Sequence, residues 1–120
     1  MGEQEVPVAF IGEVPEGTSH LVSIDGKEVA LFHAEGHFYA LGNRCPHRSG
    51  PLVKGRMETF DGTLAVRCPI HGWLFELSSG RCLTRPGAST PVYPVICTQE
   101  KICLGSPQGQ TTGPAKPLSL

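Results

Sequence analysis

The chain reads as an all-β fold, and three observations point there. Gly (15) and Pro (11) together supply 26 of 120 residues, and both interrupt helices. Short segments alternate apolar and polar residues, and turn dipeptides separate them. No window keeps a 3.6-residue apolar period over three turns, so little or no helix is expected.

The elements follow in order. Val8 to Ile11 is a short apolar run. His20 to Ile24 alternates and ends at Asp25-Gly26, a pair suited to a tight hairpin turn. Lys27 to His33 follows, with Val29, Leu31 and His33 on one face. Glu35-Gly36 turns the chain into Phe38 to Leu41. Leu64 to Val66 and Trp73 to Leu77 are two more strands. Val92 to Thr98 and Lys101 to Leu104 read as a closing hairpin. A three-residue loop there would set Cys97 opposite Cys103 for a cross-strand disulfide, which a reducing compartment disfavours. The plan is one domain over residues 1–104 and a flexible tail over 105–120, where Pro, Gly, Gln and Thr leave little to bury.

Composition excludes several function classes. A net charge of −1 is not that of a general nucleic-acid binder. No apolar run approaches the roughly 20 residues of a membrane span. The acidic N-terminus, Met-Gly-Glu-Gln-Glu-Val, has no apolar signal core and no Ser or Thr at position 6 for myristoylation. The expected compartment is the cytoplasm. There, five cysteines, an odd number, suggest metal binding rather than a disulfide framework. Charge is unevenly spread. Residues 1–43 set Lys27 against seven acids, a net of −6. Residues 44–85 set seven bases against three acids, a net of +4, and residues 86–120 carry +1.

The basic segment also holds the chemistry. Cys45-Pro46-His47 is followed, after twenty residues, by Cys68-Pro69-Ile70-His71. Each block offers one thiolate and one imidazole in a Pro- and Gly-rich turn. Two Cys and two His suit a tetrahedral zinc or an iron–sulfur cluster with mixed ligands. Zinc fingers pair Cys with Cys and place the His pair on a helix, and neither block fits a helix. In a binuclear cluster, both cysteines can take one iron and both histidines the other. Buried thiols beside solvated histidines are the bland alternative. Cys82, Cys97 and Cys103 are expected to pack as small apolar residues. His20, His33 and His37 read as surface or strand residues. No catalytic residue is assigned, because Cys45 and His47 have no orienting acid or oxyanion loop.

The pattern resembles the Rieske [2Fe–2S] family. The resemblance covers Cys45-Pro-His-Arg-Ser-Gly-Pro-Leu52, then Cys68-Pro-Ile-His-Gly-Trp-Leu-Phe-Glu-Leu77 and Ser79-Gly80. It continues through Pro86-Gly-Ala-Ser-Thr-Pro91 to Tyr93-Pro-Val, and spans roughly residues 6–104. It implies one [2Fe–2S] cluster held by Cys45, His47, Cys68 and His71. It also implies an antiparallel β-sandwich base, from residues 1–43 and about 85–104, with a cluster-binding lobe inserted over about 44–84. The twenty-residue spacer is slightly long, and the extra length is assigned to Met57–Gly62.

The ligand set implies redox chemistry. Two thiolates and two neutral imidazoles leave the oxidised site neutral, so it accepts an electron more readily than an all-thiolate site. Rieske potentials lie roughly between −150 and +300 mV. Respiratory members carry a loop disulfide and a Ser hydroxyl where this chain has Gly50, Ile70 and Trp73, so a low potential is expected. Backbone N–H groups of residues 47–50 and 71–73 should face the sulfurs, with Leu52 covering the cluster and Trp73 either covering it or packing in the core. The implied function is electron transfer by a soluble protein, as a component of an oxidoreductase system rather than an enzyme by itself. A ring-hydroxylating oxygenase ferredoxin and the small subunit of assimilatory NAD(P)H nitrite reductase are the two branches it resembles. A flavin reductase or NAD(P)H-dependent subunit would be the donor and a terminal oxidoreductase the acceptor, docking through an acidic face. Neither nucleic acid nor membrane is expected. The alternative is a structural zinc-binding module for protein contacts.

Overall fold

The structure is a computed structural model that describes residues 5–46 and 50–107. Ten strands appear in chain order: β1 (Val6–Phe10), β2 (Ser19–Ile24), β3 (Lys27–Ala34), β4 (His37–Gly42), β5 (Arg56–Phe60), β6 (Thr63–Arg67), β7 (Leu74–Glu76), β8 (Val92–Tyr93), β9 (Val95–Thr98) and β10 (Lys101–Leu104). They form three antiparallel sheets, ordered β1-β10-β9, β2-β3-β4-β8 and β5-β6-β7. The helical content among the described residues is two single turns of 3-10 helix, Ile11–Glu13 and Leu52–Lys54.

Tight turns set the registers. Asp25-Gly26, Glu35-Gly36 and Asp61-Gly62 all place both residues at positive φ, from 51° to 80°. This is the primed-turn geometry whose twist matches that of the flanking strands. The turns pair Ile24 with Lys27, Ala34 with His37 and Phe60 with Thr63. The third hairpin was not expected as a strand pair. The segment Met57–Gly62, assigned as extra spacer, is instead most of β5 and its turn. β7 is also shorter than the expected Trp73 to Leu77.

The expected strand Val92 to Thr98 is divided at Pro94. Proline has no N–H to continue a ladder. β8 therefore pairs with β4, while β9 pairs with β10 in another sheet. The β9–β10 loop has two residues, Gln99 and Glu100, both at positive φ. Cys97 consequently faces Ile102, and Cys103 faces Ile96. The cross-strand disulfide does not form, and both thiols are free. Cys97 is also exposed, against the expectation that it packs in the core, because β9 is an edge strand.

β3 is the wall on which the molecule is built. Val29 and Leu31 point into one buried cluster, with Val14, Val22, Tyr93, Ile102 and Leu104. Ala30 and Phe32 point into a second, with Leu41, Leu52, Val66, Phe75 and both motif cysteines. The first cluster fills the space between the two base sheets. The second joins β3 to the sheet β5-β6-β7 and the loops that flank it. Val29-Ala-Leu-Phe32 is thus a continuous apolar run because both faces of the strand are buried. The expected tail lies outside the described residues beyond residue 107.

Candidate metal centre

Two loops close in the same way. The Cys45 N–H donates to the Gly50 carbonyl at 2.9 Å, and the Cys68 N–H donates to the Trp73 carbonyl at 2.8 Å. In each, a cysteine at the loop entrance bonds the residue five positions on. Both cysteines are 1% exposed, and both belong to the buried cluster beneath the loops. Sulfur therefore sits at the floor of each loop. His71 is half-buried at the rim of the second, beside exposed Pro69 and Ile70. His47 lies outside the described residues. Among the described residues, no three His, Cys, Asp or Glu side chains are gathered at metal-binding range.

The first loop hangs on Asn43, which is 2% exposed. Its Oδ1 accepts from the Val53 N–H at 2.8 Å, and its Nδ2 donates to Glu28 at 3.1 Å. Its own N–H and carbonyl bond the Glu28 carbonyl (3.0 Å) and the Leu52 N–H (2.6 Å). A buried amide satisfied on four sides is a rigid staple. It fixes both ends of the loop to β3.

The second loop is held by Arg67. Its Nε and Nη2 fork onto Glu58 at 2.7 and 3.0 Å, and its Nη1 donates to the Gly72 carbonyl at 3.1 Å. The bidentate bond holds the Glu58 carboxyl below its ordinary range. Gly72 has φ of +78°, which lets its N–H turn back to the Cys68 carbonyl at 3.0 Å. This corrects one expectation: the Gly72 amide, expected to face a sulfur, is committed to the chain. Neither Asn43 nor Arg67 was singled out from the sequence as a loop-holding residue.

The two loops meet at Gly50. A Cβ there would stand 2.8 Å from Cys68 Sγ and 2.8 Å from Ile70 Cγ1. The absence of that methyl keeps room beside a buried thiol. Soft thiolates at a dry floor, an imidazole at the rim and a glycine-kept space between loops fit a bridged iron–sulfur centre. Leu52 is fully buried with both cysteines, and Trp73 packs on the same cluster. The outer face of Trp73 carries the Arg85 guanidinium, 5.2 Å from the ring centroid.

Other candidates take structural places. His33 Nδ1 donates to the Val14 carbonyl at 2.7 Å, and its ring stacks on Phe38 at 4.0 Å. His37 Nδ1 donates to the Glu35 carbonyl at 3.1 Å. Cys82 is buried in the same cluster as the motif cysteines, with its sulfur 3.6 Å from the Thr84 hydroxyl.

Comparison with known proteins agrees with this geometry. The model of the Rieske [2Fe–2S] domain matches residues 4–99. The ferredoxin component of the naphthalene 1,2-dioxygenase system of Pseudomonas aeruginosa is 30% identical over 105 residues, covering 87% of this chain and 97% of that protein. The 3-phenylpropionate/cinnamic acid dioxygenase ferredoxin subunit of Shigella boydii is 37% identical over 103 residues, covering 83% and 92%. A Mycobacterium tuberculosis protein described as an NADH-dependent nitrite reductase small subunit superposes with a TM-score of 0.82 at 28% identity, covering 88% and 97%. The chain belongs to the Rieske [2Fe–2S] domain family. It carries a [2Fe–2S] cluster and functions in electron transfer with redox partners. The family assignment replaces the zinc alternative.

Proposed function

We propose that Cys45, His47, Cys68 and His71 would hold the cluster, two through thiolate sulfur and two through imidazole nitrogen. The observation that carries this is the matched closure of the two loops over one buried floor that contains both thiols. When bound, the cluster accepts and returns one electron. The chain's own residues do the rest. Buried Cys45 and Cys68 keep water from the inner side, and His71 at the rim gives a docked protein the shortest approach. Arg67 and Asn43 hold the two loops in place.

The chain serves as a ferredoxin between a flavin- or NAD(P)H-dependent reductase and a terminal oxygenase. Relatives matched over nearly their whole length are ferredoxin components of dioxygenase systems. A second reading, the small subunit of a nitrite reductase, is favoured by the likeness to the Mycobacterium tuberculosis protein. Its docking partners present an acidic face, in keeping with the basic segment around the motif. The cytoplasm is the proposed compartment, supported by the free thiols of Cys82, Cys97 and Cys103.

Anaerobically purified protein tests the ligand set. It should contain iron and sulfide in equal amounts, and the reduced form should give the EPR signal of a His-ligated binuclear cluster. His71→Ala and Cys68→Ala should each lose it. Zinc in place of iron, or an unchanged signal in His71→Ala, would overturn the assignment.

A further inference from the structure

A cleft of about 510 Å³ opens beside the second loop. Lys54 and Arg56 line one side, and Arg67, Cys68, Pro69 and Gly72 line the other. At its base the walls press backbone to backbone, since a Cβ on Gly55 would collide with the Arg67 carbonyl. Three cations line it, and no carboxylate does.

The pairing of those cations is unequal. Arg44, Arg67 and Arg81 each face a carboxylate, on Glu28, Glu58 and Glu76. Lys54 and Arg56 are exposed, and among the described residues neither forms an ion pair. Arg56 stands in register with Arg67 and acts on Glu58 at longer range, but that carboxylate is already forked by Arg67, so the mouth carries an excess of positive charge. An entering anion offsets that excess. Pro69 and Ile70 follow Cys68 at the exposed end of the second loop, and Ile70 is 59% exposed, an apolar contact beside the basic pair. A charged cleft next to an apolar residue is what a protein surface fits, with carboxylates for the cleft and an apolar neighbour for Ile70.

We propose that this cleft receives the carboxylate side chains of the electron-transfer partner, with Lys54 and Arg56 as the contacting cations. The proposal rests on the electron-carrier reading and gives its docking a location. Cys68 lines the cleft, so a carboxylate bound there stands against the loop that carries a proposed ligand. Arg67 is a wall rather than the main contact, because Glu58 and the Gly72 carbonyl take three of its five N–H donors and fix its orientation.

Charged one-electron oxidants test this on the holoprotein. The dithionite-reduced protein is mixed with ferricyanide or with tris(phenanthroline)cobalt(III). The protein gives up one electron, and the oxidant is reduced to ferrocyanide or to the cobalt(II) complex. Lys54→Glu/Arg56→Glu should slow oxidation by the ferricyanide anion about tenfold or more, the scale of electrostatic steering. It should leave the cationic cobalt reaction unchanged or faster. Lys54→Gln/Arg56→Gln should fall between, and Lys101→Glu, on β10, should change either rate less than twofold. Hexaglutamate should slow ferricyanide oxidation of the parent but not of the charge-reversed protein. An unchanged EPR signal certifies that the variants are folded and loaded. Parent-like ferricyanide rates in the charge-reversed variant would overturn the cleft alone. So would inhibition by phosphate, at matched ionic strength, that equals inhibition by hexaglutamate. Failure of both oxidants to react with the reduced parent would overturn the electron-carrier reading itself.

Discussion

Gly50→Ala adds one methyl where the first loop touches the second. On the existing backbone its Cβ stands 2.8 Å from Cys68 Sγ, 2.8 Å from Ile70 Cγ1 and 3.3 Å from Ile70 Cβ. Comfortable heavy-atom contacts lie at about 3.5–4.0 Å, so the first two are short by roughly 0.7–1.2 Å. The two neighbours differ in how they can respond. Ile70 is exposed and can swing away. Cys68 is 1% exposed, its N–H is tied to Trp73, and its carbonyl accepts from Gly72. Overpacking of this kind costs about 1–3 kcal/mol. For a domain of this size each kcal/mol lowers Tm by about 4–8 °C. Metal–ligand distances tolerate only about 0.2 Å. The same displacement therefore harms the cluster more than the fold.

Iron per chain, visible absorbance and Tm of parent, Gly50→Ala and Gly50→Ala/Ile70→Ala give the measurement. The single variant should fold, melt earlier and lose most of its iron. The double variant relieves the Ile70 contact and leaves the Cys68 contact. It should recover part of the Tm and little of the iron. Full iron with an unchanged EPR signal in Gly50→Ala would refute the reasoning. So would complete recovery in the double variant, since Cys68 would then not be the fixed partner.

Two further outcomes follow from the site. The midpoint potential should fall below about +200 mV, because the loop disulfide and Ser hydroxyl of high-potential members have no counterpart at Gly50, Ile70 and Trp73; a redox titration above that value contradicts the account. The Glu58 carboxyl, held below the ordinary 4.5 by its bond to Arg67, contributes stability at pH above 4.5 and loses it as pH falls through the lowered value. Glu58→Gln should therefore flatten the acid limb of the stability curve, measured as urea midpoint against pH, and parallel limbs for variant and parent would show that the pair adds nothing.

The sequence disclosed what is local. Asp25-Gly26 and Glu35-Gly36 fix two hairpins within a few residues of themselves, and the Cys-x-His and Cys-x-x-His blocks are compact. Asp61-Gly62 carried the same turn signal, but Arg-Met-Glu-Thr-Phe before it lacks clean alternation, since β5 is an exposed edge. What could not be read was tertiary. Asn43 reaches Glu28 and Val53, and Arg67 reaches Glu58, partners nine to fifteen positions away with no periodic mark. The apolar run Val29–Phe32 signalled burial without revealing that its two faces serve two different clusters.

The segment between the two motif blocks does more than separate them. The first loop is stapled to β3 through Asn43, so it inherits the rigidity of the base. The second loop is braced by the Arg67–Glu58–Gly72 set, and Glu58 sits on β5. β5 exists because the segment is long enough to form a hairpin with β6. The same stretch places Lys54 and Arg56 across from Arg67. The segment thus performs two tasks at one place. It pins the loop that carries Cys68 and His71, and it sets Lys54 and Arg56, two exposed cations, next to that loop. A spacer too short for β5 would lose Glu58 and with it the brace on the second loop, and it would lose Arg56 from the cleft wall at the same time.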